Sequence, residues 1–401
     1  MTGEQALSGI KVLDLSQWES GSIAALSLAF MGADVIKIES PAGDSSRVVA
    51  ADTPDADSIY FLVLNTNKRS VTLDLKSADG RQALERLIER CDVLIENFGP
   101  GTIERLGFGY DRVHELNPRM VYASIKGFGP HSRYRDSLCF DAIAQSMGGS
   151  VSFTGDADGP PMKPGPTFAD TGSGLHLAIA ICGALLQRHN TGRGQRVDVA
   201  MQEALLNFCR VPIARHQVEG QPARRAGNGS PTGSAAPVGM YPCKGGGPND
   251  YVTLFTPRDP VSGNRQWAAV LDAMGRTDLL NDPRFATPLS RYQHRAEVDE
   301  IVSAWTMRHT KHDASDRLNE IGVPAGPVLD TGDLLADESM FASGFLAEVE
   351  HPTRGQVVLL AWPVAMSSSP RPEVTAPPLL GQHTQEVLDE LSGGDEGALA
   401  R

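Results

Sequence analysis

Residues 10–39 read strand, helix, strand in immediate succession, and that alternation restricts the possible folds more than any other feature of the 401-residue chain. Ile10 to Leu15 (IKVLDL) is an apolar run suited to a buried strand. Ile23 to Met31 (IAALSLAFM) is dense in apolar helix formers and closed by Gly32, and Asp34 to Glu39 (DVIKIE) reads as the next strand. Such a unit implies parallel strands joined by a right-handed crossover. The pattern then repeats. Ser70 to Leu75, Asp92 to Glu96 and Met120 to Ile125 are further buried strands, and Ala78 to Arg90 is an amphipathic helix with Ser77 as its N-cap. The expected fold class is α/β, with a doubly wound parallel sheet.

Further along, Leu175 to Arg188 reads as a long helix stopped at Thr191 to Gly194, followed by a strand (Gln195 to Val199) and a helix (Ala204 to His216). The texture then changes. Pro222, Pro231, Pro237, Pro242 and Pro248, with Gly245-Gly246-Gly247, mark a loop or linker. The expected organisation is a large α/β domain over 1–217, a Pro/Gly-rich linker over 218–250, a small domain over 251–320, and a final segment over 321–401 ending in a helix near Gln382 to Leu391.

Charge and composition exclude several functions. Thirty-six Lys and Arg against 49 Asp and Glu leave a net charge of −13, which disfavours a nucleic-acid partner because phosphate contacts need clustered cations. The five cysteines (Cys91, Cys139, Cys182, Cys209, Cys243) are far apart and form no C-x-x-C, so neither a disulfide framework nor a four-ligand zinc site fits. His309 and His312 have no accompanying ligand cluster and read as a solvated helix end. Met1 to Leu15 lacks the basic start and apolar run of a secretion signal, and Leu177 to Leu186 is too short to span a bilayer. The expectation is a cytoplasmic protein without membrane partners or a metal.

The common catalytic signatures G-x-x-x-x-G-K-[ST], G-x-S-x-G, H-E-x-x-H and G-x-G-x-x-G are missing. Two stretches stand out. Asp170, in Phe168-Ala169-Asp170-Thr171-Gly172-Ser173-Gly174, falls just before the long helix, where free N–H groups and the dipole favour an ionised carboxylate at neutral pH. Gly172 and Gly174 carry no side chain and would let a bulky ligand approach. Such a carboxylate can attack an electrophilic carbonyl, but the spacing alone favours an ordinary N-cap aspartate. Glu96-Asn97-Phe98-Gly99-Pro100-Gly101 follows a buried strand, where ligands collect in such sheets. Its amides, with Arg105, suit a phosphate or adenine, and a tight strand-to-helix turn also accounts for it.

These stretches together resemble the class III CoA-transferases (the CaiB/BaiF type), and within them the oxalate-using members. The likeness is carried by GIKVLDLS, MGADVIKIESPAGDSSR, YFLVLNTNKRSVTLDLKSADG, CDVLIENFGPGTIERLGFGY, NPRMVYASIKGFG, GGSVSFTGDADGPP and GALLQRHNTGRGQRVDVAMQEALLNFCR. The resemblance implies an interlocked, ring-shaped homodimer, with a Rossmann-like large domain built from both chain ends and a smaller inserted α/β domain. It implies that Asp170 is a nucleophile that forms acyl-anhydride and CoA-thioester intermediates. It places CoA contacts at Leu73, Lys76, Asn97, Phe98, Gly99, Arg105, Phe140 and Met201, and the acyl pocket at Glu19, Ser20, Asp141 and Gly172. CoA and acyl-CoA would be substrates, with a small carboxylic acid as acceptor and no permanently bound cofactor.

The chain also departs from the oxalate-using members. Glu19 stands where they have a glutamine, Ser40 replaces an arginine, and Leu138 and Phe140 replace a lysine and a tyrosine. Val49 replaces a tryptophan, and Gly233-Ser234-Ala235-Ala236-Pro237 stands in place of a four-glycine loop. Glu19 beside a small dianionic acid should repel it unless paired or protonated. Racemases of the same fold use a histidine that would fall at Phe140, which cannot exchange a proton. A catalytically silent CoA-binding protein is the remaining alternative.

Overall fold

The computed structural model describes residues 4–49, 53–229 and 233–398, with side chains described up to Glu390 and its neighbours through residue 392. Pro231, counted above in the linker, lies outside them. The chain divides into two compact units: residues 1–151, 163–218 and 339–401 form the first, and 152–162 with 219–338 the second. The second unit is wider than the expected 251–320. It takes in the Pro/Gly-rich stretch, where Val238–Pro242 forms a strand, and a short excursion before residue 163.

The first unit is built on six parallel strands: β1 (Lys11–Asp14), β2 (Asp34–Glu39), β3 (Lys68–Thr72), β4 (Val93–Glu96), β5 (Val121–Lys126) and β6 (Arg196–Ala200). They lie in the order β3-β2-β1-β4-β5-β6. Between them run α1 (Ser20–Phe30), α2 (Ile59–Asn65), α3 (Ala78–Arg90), α4 (Thr102–Arg105), α5 (Tyr110–Leu116), α6 (Asp141–Met147) and α7 (Phe168–Thr191), with α8 (Met201–Phe208) and α9 (Arg210–Glu219) after β6. Successive strand residues point to opposite faces. Val12, Val35, Val93, Ile95, Val121 and Ala123 accordingly meet α1 and α7 on one side. Leu13, Ile36, Leu94 and Tyr122 meet α3, α5 and the C-terminal helix Thr384–Ala398, through Val387 and Leu391, on the other. Both faces are covered, as the near-continuous apolar strands require. Ser77 caps α3 by accepting a hydrogen bond from the Gly80 amide at 3.0 Å.

Buried charges at one end of this sheet are paired. Lys68 Nζ donates to Asp14 at 2.8 Å, Lys37 faces Asp44 at 2.9 Å, and Arg47 grips Glu39 through Nε and Nη2, both at 2.7 Å. Burial works against the charge of Asp14, but Lys68 and Lys37 outweigh it and hold its carboxyl below the usual range. Burial brings the Lys68 ammonium down to about 8.

The second unit has an antiparallel sheet of β7 (Val238–Pro242), β8 (Tyr251–Phe255) and β9 (Ala325–Pro327). Helices pack on it through Trp267, Val270, Val298, Trp305 and Leu318. Asp313, one turn along, accepts from His309 Nδ1, and the His309 ring packs on Trp305, so it is held within its own helix region.

The helix expected from Leu175 begins upstream, at Phe168, and α7 runs for 24 residues. Its length and composition alone would suit a membrane span, but one face packs on α1, β5 and β6. The approach to α1 is close. A Cβ at Gly174 would lie 2.5 Å from the Ser20 carbonyl oxygen and 2.8 Å from Ile23 Cβ. Gly174→Ala must push α7 away from α1 and should cost about 1–3 kcal/mol, read as a lowered urea midpoint with an unchanged m-value.

Candidate active site

Strand order reverses between β1 and β4, and the loops leaving their C-terminal ends diverge to open a crevice. A cavity of about 220 Å³ lies there. Its lining comprises Gln17, Trp18 and Ser20 after β1, Asn97 to Pro100 after β4, Ile125 to Gly127 at the end of β5, Ser137 to Phe140 before α6, and Asp170 and Met201. Asn97 ties the two loops together: Nδ2 donates to the Gln17 carbonyl at 2.7 Å and to Ser20 Oγ at 3.1 Å, while Oδ1 accepts from the Gln17 amide at 2.8 Å. Buried Glu96 holds the next turn, accepting from Lys126 Nζ at 2.8 Å and from the Phe98 amide at 3.0 Å.

Asp170 occupies the first turn of α7 rather than preceding it, and its amide is not free. Asp141 Oδ1 accepts from the amides of Ala169 (3.0 Å) and Asp170 (3.4 Å), while its Oδ2 accepts from Gln145 at 2.6 Å. The cap of α7 is therefore a carboxylate from another helix, and its negative charge sits where free amides were expected to favour ionisation. Among the described residues no donor reaches the Asp170 carboxylate. Burial, then the charges of Glu19 and Asp141, push its carboxyl up to about 7. The expectation of full ionisation at neutral pH is thus corrected: desolvation and two like charges outweigh the helix end.

Glu19 is only 6% exposed. It accepts from Thr167 Oγ1, from Thr171 Oγ1 at 2.7 Å and from the Tyr60 hydroxyl at 3.2 Å. Thr167 and Thr171 flank Asp170 in sequence, so Glu19 straddles the first turn of α7. The two glycines do not open the site to ligand. A Cβ at Gly172 would strike the Phe208 ring at 2.5 Å, and Gly174 faces α1.

Asp170, Ser20, Asn97, Phe98, Gly99, Phe140 and Met201 are thus brought to one cavity. Glu19, Asp141 and Gly172 lie outside its lining, around the first turn of α7. Leu73, Lys76 and Arg105 also lie outside it. Leu73 is packed in the core, Lys76 is exposed, and the exposed Arg105 donates to Thr102 Oγ1 at 2.8 Å. Sequence reasoning missed Trp18, Tyr60, Lys126 and Cys139. Trp18 packs edge-on against Tyr60 and Phe140, with ring centroids 6.4 and 6.2 Å away. Its place after the first strand, where ligands gather, was the available signal. Burial and the Asp170 charge push the Cys139 thiol up to about 11, so it is no thiolate at neutral pH.

A sequence profile described as CoA-transferase family III matches residues 7–384. The formyl-CoA:oxalate CoA-transferase of Streptomyces coelicolor is 44% identical, over 98% of this chain and 97% of that protein. That of Rhodopseudomonas palustris strain HaA2 is 43% identical, over 99% and 96%. A CaiB/BaiF family protein from Brucella suis superposes with a TM-score of 0.86 at 31% identity, covering 97% of this chain and all (100%) of that one.

The raised carboxyl has a consequence for stability. Folded Asp170 keeps its proton up to about pH 7, whereas an unfolded aspartate loses it near 3.8, so stability falls as pH rises between those values. The penalty is absent below the unfolded value and complete above the folded one. Asp170→Asn, neutral throughout, should be more stable than the parent at pH 8 by on the order of 2–4 kcal/mol. The gain should vanish near pH 4, and paired thermal melts across that range check it.

Proposed function

Since the chain belongs to CoA-transferase family III, an enzyme family that moves CoA between acyl groups, we propose that it does so through covalent intermediates on Asp170. The observation that carries this reading is the Asp170 carboxylate in the cavity wall, with no donor on its oxygens among the described residues and with its carboxyl raised to about 7. A carboxylate this basic is a better nucleophile than an ordinary aspartate, yet half of it is ionised near neutral pH.

The steps balance without ATP or metal. Asp170 Oδ attacks the thioester carbonyl, giving an aspartyl acyl anhydride and CoA thiolate. The thiolate attacks the aspartyl carbonyl, forming an aspartyl-CoA thioester and releasing the first acid with one Asp170 oxygen. The acceptor carboxylate then attacks the aspartyl thioester, expelling thiolate and forming a second anhydride. Thiolate attack on the acceptor's carbonyl yields the new acyl-CoA and restores Asp170 with an oxygen from the acceptor. The scheme calls for no permanently held cofactor.

Asn97, Phe98, Gly99, Phe140 and Met201 would contact the CoA arm in this cavity, with Leu73 supporting the wall behind them. CoA is longer than the cavity, and the exposed charges of Lys76 and Arg105 suit its phosphates. Ser20 would border the acyl group. The substrates named for the relatives are formyl-CoA and oxalate; for this chain the proposal is a short-chain acid pair. We also infer an interlocked homodimer, with the residues of the small unit falling in sequence between segments of the large one. Its support is a large outward apolar surface: α9 buries none of its side chains within the chain, and Ile179, Leu186, Phe208, Val211 and Val218 are exposed.

Enzyme mixed with formyl-, succinyl- or acetyl-CoA and a panel of acids should yield new CoA thioesters by mass spectrometry. Asp170→Ala should fold and abolish them; normal turnover in that variant would contradict the scheme. The nucleophile must be ionised, so kcat/KM should fall on the acid side with an apparent pKa near 7.

A further inference from the structure

We propose that Glu19 makes this site select an acceptor with one negative charge over an acceptor with two, oxalate included. The inference rests on the transfer reading above and names its substrate class.

Glu19 is buried, and its three partners are hydroxyls: Thr167, Thr171 and Tyr60. Hydroxyl donors favour the ionised form of a carboxylate without cancelling its charge. Thr167 precedes and Thr171 follows Asp170 in the chain, so this charge is fixed at the turn of α7 that carries the reacting carboxyl group. Asp141 adds a second fixed carboxylate through the Ala169 and Asp170 amides. The ammonium in the cavity lining, Lys126, is already held by Glu96 Oε2 at 2.8 Å and the Phe98 carbonyl at 2.7 Å. The other groups facing Asp170 are the Tyr60 hydroxyl from α2 and the Cys139 thiol before α6, both kept protonated by burial. Among the described residues, no cation is therefore free to balance a second negative charge at this turn.

The acceptor attacks when Asp170 is a neutral thioester. Its reacting carboxylate then meets the field of Glu19 and Asp141 alone, and loses its charge as the anhydride forms. A short diacid brings a second carboxylate into the same field and keeps it there. In a partly buried site two like charges a few ångströms apart repel strongly enough to change rates by tenfold or more.

Transfer from one acyl-CoA donor should be measured with acetate and propionate against oxalate and malonate, separating kcat from KM, in the parent, Glu19→Gln and Asp170→Ala. The parent should favour the monoacids by about tenfold or more in kcat/KM. Glu19→Gln should lower KM for the diacids by about tenfold, leave KM for the monoacids within about twofold, and move the acid limb of the pH profile downward. A purely structural role would shift both acid classes together. If Glu19→Gln does not fold, the parent's ratio decides. Asp170-dependent transfer that favours diacids, or a ratio unchanged in Glu19→Gln, overturns the Glu19 inference and leaves the covalent scheme standing. Transfer that survives Asp170→Ala, or none to any acid, removes the scheme and this inference with it.

Discussion

The close contact between α1 and the first turns of α7 governs the chemistry of this protein. With no side chain at Gly174, the helices approach until Ser20 and Ile23 lie against α7, and Glu19, at the head of α1, comes to rest on Thr167 and Thr171. Asp170 sits between those threonines in sequence. Packing alone thus places two carboxylates side by side in a half-buried pocket, with Asp141 as a third beneath them. Their repulsion, added to burial, is what holds the Asp170 proton to about pH 7. The strain of keeping like charges together is concentrated at Asp170, the proposed nucleophile, an arrangement that fits basicity tuned for catalysis.

The sheet supplies the frame for that arrangement. Reversal of strand order at β1 and β4 opens the crevice, and Asn97 locks the two loops across it with three hydrogen bonds. The paired charges of Asp14, Lys37, Asp44 and Lys68 fix the neighbouring strand ends. Breaking one member of such a buried set would leave its partner charged without compensation, which costs far more than the pair contributes. Asn97, read from sequence as a CoA contact, therefore also shapes the loops against which CoA would lie.

Much of the sheet was legible because its signals are local. Asp34 to Glu39 and Ala78 to Arg90 have the bounds read from their apolar spacing, and Ser77 caps its helix as its position implies. The start of α7 was not legible. Thr167 makes no capping bond, and the cap comes from Asp141, far off in sequence, so Phe168 to Gly174 carries no N-terminal signature of its own. Burial first, then the charges of Glu19 and of the capping Asp141, reversed the expectation for Asp170. Gly172 and Gly174, read as room for ligand, serve helix packing instead. Trp18 and Tyr60 were missed because their relation to Phe140 and Glu19 exists only in the folded chain.

The most direct test of covalent transfer through Asp170 follows the oxygen atoms. A single turnover with an acceptor acid labelled with heavy oxygen in its carboxylate, followed by proteolysis and mass spectrometry, should find one heavy oxygen in the peptide bearing Asp170. On further turnovers that label should pass to the released donor acid. Label confined to the new thioester and the released acid, with none ever in Asp170, would mean direct transfer between bound substrates and would contradict the covalent scheme.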